Sequence, residues 1–289
     1  MLFTVCTPTY NRAQLLFPLY RSLCTQSLKD FEWIIIDDGS TDQTKSVVES
    51  FIEEGILDIK YKYQENGGKH RAINSAILDA SGVLFFIADS DDYLLDDSLK
   101  IVASYYEQIK ENSNFAGVCG LMSYPNGQII GSGFNKECIV STALEIRVKY
   151  HVSGDLKEVF LTEILKKNPF PEFKNEKFCP EALVWNRIAC NYKLLYFAKV
   201  IYVADYLDGG LTSKIIRIRK QSPNASLLYY SELLGYDIPF IEKVKASINY
   251  WRFSFSSNEP FLKKKSRVNS FSLFLLPIGF LFYLKDRKK

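Results

Sequence analysis

Phe31-Glu32-Trp33-Ile34-Ile35-Ile36-Asp37-Asp38-Gly39-Ser40-Thr41-Asp42 is the stretch that decides the fold. Its first six residues are β-branched or aromatic with one exception, and they lack the polar alternation of a strand with a wet face. Such a run reads as a strand buried on both sides. It stops abruptly at two acids and an Asp-Gly turn. The turn Asp38–Asp42 then caps a helix that extends to about Glu53. A doubly buried strand that feeds a helix is the repeating unit of a parallel sheet.

The same rhythm extends outward from this stretch. Leu2–Cys6 is a shorter apolar run ended by Pro8, and Arg12–Gln26 has helical spacing with Pro18 near a late start. Asp58–Tyr63 predicts a strand, His70–Ala80 a helix, Val83–Ala88 a strand and Ser98–Glu111 a helix. The expected class is therefore α/β, with a mostly parallel sheet covered by helices on both faces. After Phe115 the pattern changes. Phe115–Tyr124 and Gln128–Phe134 predict strands around Pro125-Asn126-Gly127. Thr142–Lys149, Lys157–Lys167 and Pro180–Asn191 predict helices, Leu194–Tyr206 two short strands, and Asn224 to about Phe253 further helix.

Composition narrows the function. The 289 residues are 47% apolar and 24% charged, which excludes disordered and collagenous chains. The net charge of +3 is unevenly placed: residues 261–289 hold eight Lys/Arg against Asp286, a tail of +7 that leaves −4 for residues 1–260. A mildly acidic body argues against nucleic acid as a partner. Six cysteines without a C-x-x-C pair argue against a zinc site or a disulfide framework. No basic leader precedes the first apolar run, which predicts a cytoplasmic protein.

In an open parallel sheet, ligands bind beyond the carboxyl ends of the strands. Polar blocks fall at four such ends in succession: Thr7-Pro8-Thr9-Tyr10-Asn11-Arg12, Asp37-Asp38-Gly39-Ser40, Glu65-Asn66-Gly67-Gly68-Lys69-His70-Arg71 and Asp89-Ser90-Asp91-Asp92. The last places three carboxylates within four residues, whose mutual repulsion calls for a cation. Oxygen ligands of this kind suit Mg²⁺ or Mn²⁺. The same residues also read as a solvated acidic turn, with Asp92 or Asp97 capping the next helix. Asp37 or Asp38 could accept an N–H from a pyrimidine base or hold a ribose hydroxyl. Gly67 and Gly68 permit close approach of a ligand, and Lys69 and Arg71 supply positive charge.

These four blocks, in this order and spacing, resemble family 2 glycosyltransferases, which have the GT-A fold. The resemblance covers residues 1–124 closely and extends more loosely to 213. It implies that Thr7, Pro8, Tyr10 and Arg12 line a nucleotide pocket, usually for UDP. Asp37 and Asp38 would face the nucleoside, Asp38 on the uracil, and Gly67, Lys69 and Arg71 the base or diphosphate. It also implies that Asp89, Ser90 and Asp91 carry the family's D-x-D motif, with Asp91 the principal ligand of Mn²⁺ or Mg²⁺ and Asp89 the second. The family inverts configuration and needs one general base, usually an acid opening a helix in the second half. Glu181, after Pro180, matches that place and can take a proton from an acceptor hydroxyl; it also suits an ordinary first helical turn. Asp155 is the rival, and Glu176 a weaker candidate. Asp208–Ser213 reads equally as a segment closing over the donor or as a surface loop.

The implied organisation is a GT-A domain over 1–213 (a nucleotide-sugar half, 1–124, and an acceptor half, 125–213), a helical extension over 214–260 and a basic, hydrophobic tail over 261–289. Phe271–Leu284 is short of the ~20 apolar residues that a spanning helix needs. Basic clusters flank it, which predicts contact through 263–289 with an anionic membrane surface, at the inner face; packing on protein is the alternative. The expected reaction moves a sugar from a nucleotide donor, UDP-linked, to a hydroxyl of a saccharide or lipid-linked acceptor. A metal-dependent nucleotidyltransferase and a non-catalytic nucleotide- or glycan-binding protein are the competing classes.

Overall fold

β1 (Phe3–Thr9) and β2 (Phe31–Asp37) are buried at every position. They run parallel, in register from Phe3 opposite Phe31 to Thr9 opposite Asp37. The computed structural model describes residues 1–204 and 214–287; Asp208–Ser213 lies outside the described residues. β3 (Ile59–Tyr63) and β4 (Leu84–Ile87) extend the parallel arrangement on either side. β3 forms the edge, and its Lys60 and Lys62 give that edge the charge that discourages further pairing. β5 (Tyr93–Leu94), β6 (Phe115–Ser123), β7 (Cys138–Ser141), β8 (Leu156–Leu161) and β9 (Lys193–Val203) complete one sheet in the order β3-β2-β1-β4-β8-β6-β9-β5, with β7 also on β9. Beyond β4 the sheet is mixed: β8 is antiparallel to β4 and β6, whereas β6 and β9 are parallel.

Helices Leu16–Cys24, Thr44–Glu54, Lys69–Asp79 and Ser98–Tyr106 follow the early strands as expected. Tyr20 from the first and Phe51 from the second stack at 4.0 Å, with Trp33 of β2 beside them. The Trp33 indole N–H donates to Thr7 Oγ1 at 2.8 Å, and the Tyr20 hydroxyl donates to Glu54, so both polar groups in that layer are satisfied.

Several local expectations are corrected. β1 does not stop at Pro8 but passes through it. Thr9 turns its carbonyl towards β2, so the Pro8 nitrogen faces the side where β4 has ended, its last partner being Ile87 opposite Cys6. Gln128–Phe134 forms no strand, only a bridge from Ile129 to Ser123. Gly131 (φ 81°) and Gly133 (φ 57°) turn the chain there. Lys157–Leu161 is strand rather than helix, and helix begins only at Thr162. Of Leu194–Tyr206, the described residues to Ala204 hold one long strand with bulges against β6, not two short ones. The helical run from Asn224 breaks at Tyr236–Pro239 into Pro223–Gly235 and Phe240–Ser254.

The chain divides into two compact units. One holds Met1–Pro169 and the segment from Arg187, including the whole sheet. The other holds Phe170–Asn186 and the described chain from 214 onward. Its centre is Leu227, Tyr250 and Trp251, against which Tyr230, Val268, Leu273 and Leu276 pack. Its last helices are Phe261–Ser266, Ser270–Phe274 and Leu276–Arg287. Gly279 lies on Trp251, where any Cβ would come within 2.6 Å of the Trp251 Cβ. Arg252 grips Asp286 with two bonds of 2.6 and 2.7 Å. The final apolar stretch therefore packs on its own unit along one face. The opposite face keeps Phe274, Ile278 and Leu281 exposed, at 80%, 41% and 65%. No helix among the described residues is long and apolar enough to cross a membrane.

Candidate active site

The carboxyl ends of β1, β2 and β4 and the turn after β3 are tied into a closed ring. Asn11, at φ 52°, donates its backbone N–H to Ser40 Oγ (2.8 Å), and its side-chain oxygen accepts from the Thr41 and Asp42 amides. That joins the loop after β1 to the loop after β2. Asp38 continues the ring: its carboxylate accepts from Gln64 Nε2 (2.7 Å) and from the amides of Gly67 (2.9 Å) and Gly68 (2.7 Å). Lys69 opens the next helix and reaches Asp89 at 2.7 Å. Arg12 closes the ring with a 2.5 Å bond to Asp91.

Two glycines make this possible. Gly39 has φ +87°, and a Cβ there would lie 2.7 Å from the Asn66 nitrogen. Gly68 has φ +98° and allows the chain to swing into the helix with its amide on Asp38.

The acidic strand end is not a bare cluster. Asp91 carries Arg12 and Asp89 carries Lys69, so each of these partly buried carboxylates has its own cation. Burial raises the Asp89 carboxyl, but Lys69, then Lys157 and Arg12, outweigh it and hold the group below the usual carboxylate range. Asp92 is buried and is pushed up to about 7 by that burial and by Asp89 and Asp91, against the pull of Lys157.

The other expected residues are distributed unevenly. Thr7 and Pro8 are buried in β1, and the Thr7 hydroxyl is taken by Trp33. Tyr10 stands at the end of β1, 48% exposed. Asp37 is buried and braces the turn, accepting from the Ser40 amide and the Tyr61 hydroxyl, both at 2.7 Å. Gly67 packs against Arg71, whose Cδ a Cβ would meet at 2.6 Å. Ser90 is buried between the two aspartates. Asp155 is exposed and directly precedes β8, whose antiparallel register carries it to the rim where β4 ends. Glu181 opens the helix Glu181–Ala189 in the other unit. Glu176 is buried with both oxygens on the amides of Asn224 and Ala225, so it caps the helix Pro223–Gly235 rather than offering a base.

Two residues beneath the rim escaped the sequence reading. Lys157 of β8 is only 9% exposed, donates to the Ile87 carbonyl at 2.9 Å and lies 3.5 Å from the Tyr202 ring centre. The Tyr202 hydroxyl in turn accepts the Asp89 amide at 2.7 Å. The expectation of a helix over Lys157–Lys167 hides Lys157, whose neighbour Glu158 makes it read as a solvated charge.

The donor set fits a divalent cation completed by substrate. Mg²⁺ is commonly held by one or two carboxylates together with phosphate oxygens, and Asp89 and Asp91 supply that number. Among the described residues no group of three or more His, Cys, Asp or Glu is placed to ligate a metal, so an all-protein cage is not what these residues build.

Comparison with known proteins gives the family of the chain. Residues 4–122 match the model of glycosyl transferase family 2. The GalNAc(5)-diNAcBac-PP-undecaprenol beta-1,3-glucosyltransferase of Campylobacter jejuni is 30% identical over 246 residues, 81% of this chain and 71% of that protein. The chain belongs to glycosyltransferase family 2. This family 2 chain is also 30% identical over 283 residues to the poly(ribitol-phosphate) beta-N-acetylglucosaminyltransferase TarS of Staphylococcus aureus, which covers 94% of the chain but 46% of TarS. It thus spans about half the length of that relative. The crystal structure of TarS 1-349 with UDP-GlcNAc superposes with a TM-score of 0.70 at 23% identity, covering 99% of this chain and 89% of that one. A mannosyltransferase from Pyrobaculum calidifontis, solved with GDP-Man and Mn²⁺, gives 0.57 at 18% identity, over 98% and 80%. Both likenesses are of fold, and the fold is GT-A.

Proposed function

We propose that the chain transfers a sugar from a nucleotide donor, a UDP-sugar, to a hydroxyl of a saccharide or lipid-linked acceptor, in a single inverting displacement. The observation that carries this reading is the closed ring of strand ends, which concentrates an exposed aromatic ring, two cations and two carboxylates on one rim. Tyr10 would cover the base, and Asp38, whose Oδ2 accepts a single bond, from the Gly68 amide, would accept a pyrimidine N–H. Lys69, Arg71 and Arg12 face the negative charge of the diphosphate. Mn²⁺ or Mg²⁺ held by Asp89 and Asp91 would neutralise the nucleoside diphosphate as it leaves.

In the reaction an acceptor oxygen attacks the anomeric carbon while the bond from that carbon to the β-phosphate oxygen breaks. The hydroxyl proton passes to a carboxylate. We assign this base to Glu181 on the family resemblance and keep Asp155, which the β8 register brings to the rim, as the alternative. Glu181→Gln and Asp155→Asn separate them, since loss of the base lowers kcat while donor binding persists.

Two relatives, one named for a polyprenyl diphosphate-linked acceptor and the other for a poly(ribitol-phosphate), support a role in cell-surface glycan assembly. A bilayer surface fits the C-terminal helices: the outer stripe Phe274, Ile278, Leu281 is apolar, and exposed Lys263, Lys265, Lys285 and Arg287 complement anionic lipid. The enzyme would then work at the inner face of the membrane.

Calorimetric titration with UDP, GDP and CDP, with and without Mn²⁺, tests the donor site. Mn²⁺-dependent binding of UDP that disappears in Asp91→Ala is expected. Folded protein that binds none of the three nucleotides would sink the assignment.

A further inference from the structure

The two cations on the acidic strand end bear on how a metal could enter. Arg12 Nη1 stands 2.5 Å from Asp91 Oδ2, and Lys69 Nζ 2.7 Å from Asp89 Oδ1. All four side chains are between 24% and 34% exposed, so water screens these pairs only in part. A guanidinium stays charged at every working pH. A divalent ion approaching Asp91 alone therefore meets a fixed positive charge already seated on the carboxylate.

The root of Arg12 is pinned while its head is mobile in principle. Its backbone N–H donates to Thr44 Oγ1 at 3.3 Å, the neighbouring Asn11 is held by Ser40, Thr41 and Asp42, and Ala13 N–H donates to Asp42 at 3.2 Å. Only the side chain can leave Asp91. What would draw it away is a diphosphate, whose oxygens match the planar fork of a guanidinium better than one carboxylate oxygen does.

We propose that Arg12 is a resident counter-ion of Asp91 that yields to the metal only when a nucleoside diphosphate arrives to receive it, so that metal and donor enter together. The idea rests on the donor-site reading above. Without nucleotide, Arg12 occupies the carboxylate and the protein has low affinity for Mn²⁺. With nucleotide, the guanidinium moves to phosphate oxygens, Asp91 is released, and each ligand raises the affinity of the other by the same factor. Lys69 on Asp89 contributes in the same sense, with less directional preference for the phosphate.

The test measures binding rather than turnover. Free Mn²⁺ is followed by electron paramagnetic resonance with wild type, Arg12→Gln and Arg12→Lys, each without nucleotide and with saturating UDP. Arg12→Gln is expected to bind Mn²⁺ alone on the order of tenfold more tightly than wild type, the scale on which one adjacent arginine biases a carboxylate. The enhancement of Mn²⁺ affinity by UDP should shrink correspondingly. Arg12→Lys keeps the charge, so its affinity for Mn²⁺ alone should stay low. It also serves as the folded control, with thermal melting of all three proteins alongside.

Arg12→Gln with unchanged affinity for Mn²⁺ alone, in a protein that still binds Mn²⁺ with UDP, would overturn the counter-ion role and leave the donor site standing. Wild type that binds Mn²⁺ equally well with and without UDP would do the same. Absence of Mn²⁺ binding by wild type even with saturating UDP would instead remove the metal site itself.

Discussion

Replacing Glu32 by Gln should cost the protein about 2 kcal/mol at pH 7 and progressively less as the pH falls below about 4. Glu32 lies in β2 with its side chain fully buried. Oε1 accepts from Thr4 Oγ1 (2.5 Å) and the Ser81 amide (2.7 Å), and Oε2 pairs with Lys60. Gln can keep its oxygen where Oε1 stands, but its amide nitrogen then faces the Lys60 ammonium. Lys60 is 47% exposed and can turn to water. The loss is therefore charge assistance on two buried hydrogen bonds, about 1 kcal/mol each.

The pH dependence follows from the carboxyl's shift. Burial raises it, but the bonds from Lys60, Thr4 and Ser81 and the Lys60 charge together outweigh burial and hold it below the usual glutamate value. A depressed carboxyl contributes stability that is fully present above its unfolded value of about 4.3 and is lost as pH falls through the folded value. Wild type should thus approach the variant as the pH drops below about 4, because a protonated Glu and a Gln are nearly isosteric. Urea denaturation of both proteins at pH 7, 5, 4 and 3 measures the gap. A gap of the same size at pH 7 and pH 3 would refute the argument, since the effect would then come from packing and not from charge.

Two more perturbations test other parts of the molecule. Gly39→Ala places a methyl against the Asn66 backbone at a left-handed φ; it should lower stability by about 1–3 kcal/mol and weaken UDP binding, because Asp38 and the Gly67-Gly68 turn move together. Calorimetry and melting check both arms, and unaltered UDP affinity would detach the turn from the donor site. Phe274→Ser with Leu281→Ser removes two exposed apolar side chains from the C-terminal helices. Partition into vesicles containing phosphatidylserine should fall roughly 30-fold, or about 2 kcal/mol, with melting unchanged; equal partition by the two proteins would exclude this face as the bilayer contact.

How far the sequence is legible depends on the range of the interaction. Phe31–Ile36 and Val83–Ala88 announce strands because full burial on both faces demands an apolar run, which is a local property. The polar blocks at their ends are local too, so a polar rim could be expected before any coordinates. The stretch Lys157–Leu161 could not. Lys157 and Glu158 followed by Glu163, Lys166 and Lys167 allow a helix, and only the open flank of β4 and the Ile87 carbonyl make this segment a buried strand with a lysine in it.

The chain by itself thus determined the α/β alternation, the four polar strand ends and the family they resemble, since each rests on residues within a few positions of one another. Tertiary structure decided which charges meet. Three neighbouring aspartates read as mutual repulsion awaiting a metal, yet Arg12 lies 79 positions from Asp91 and Lys69 comes from a different loop than Asp89. Electrostatic energy depends on distance in space, falling within about a Debye length in salt water. Whether a carboxylate is bare or already paired is therefore invisible until the sheet brings the strand ends together.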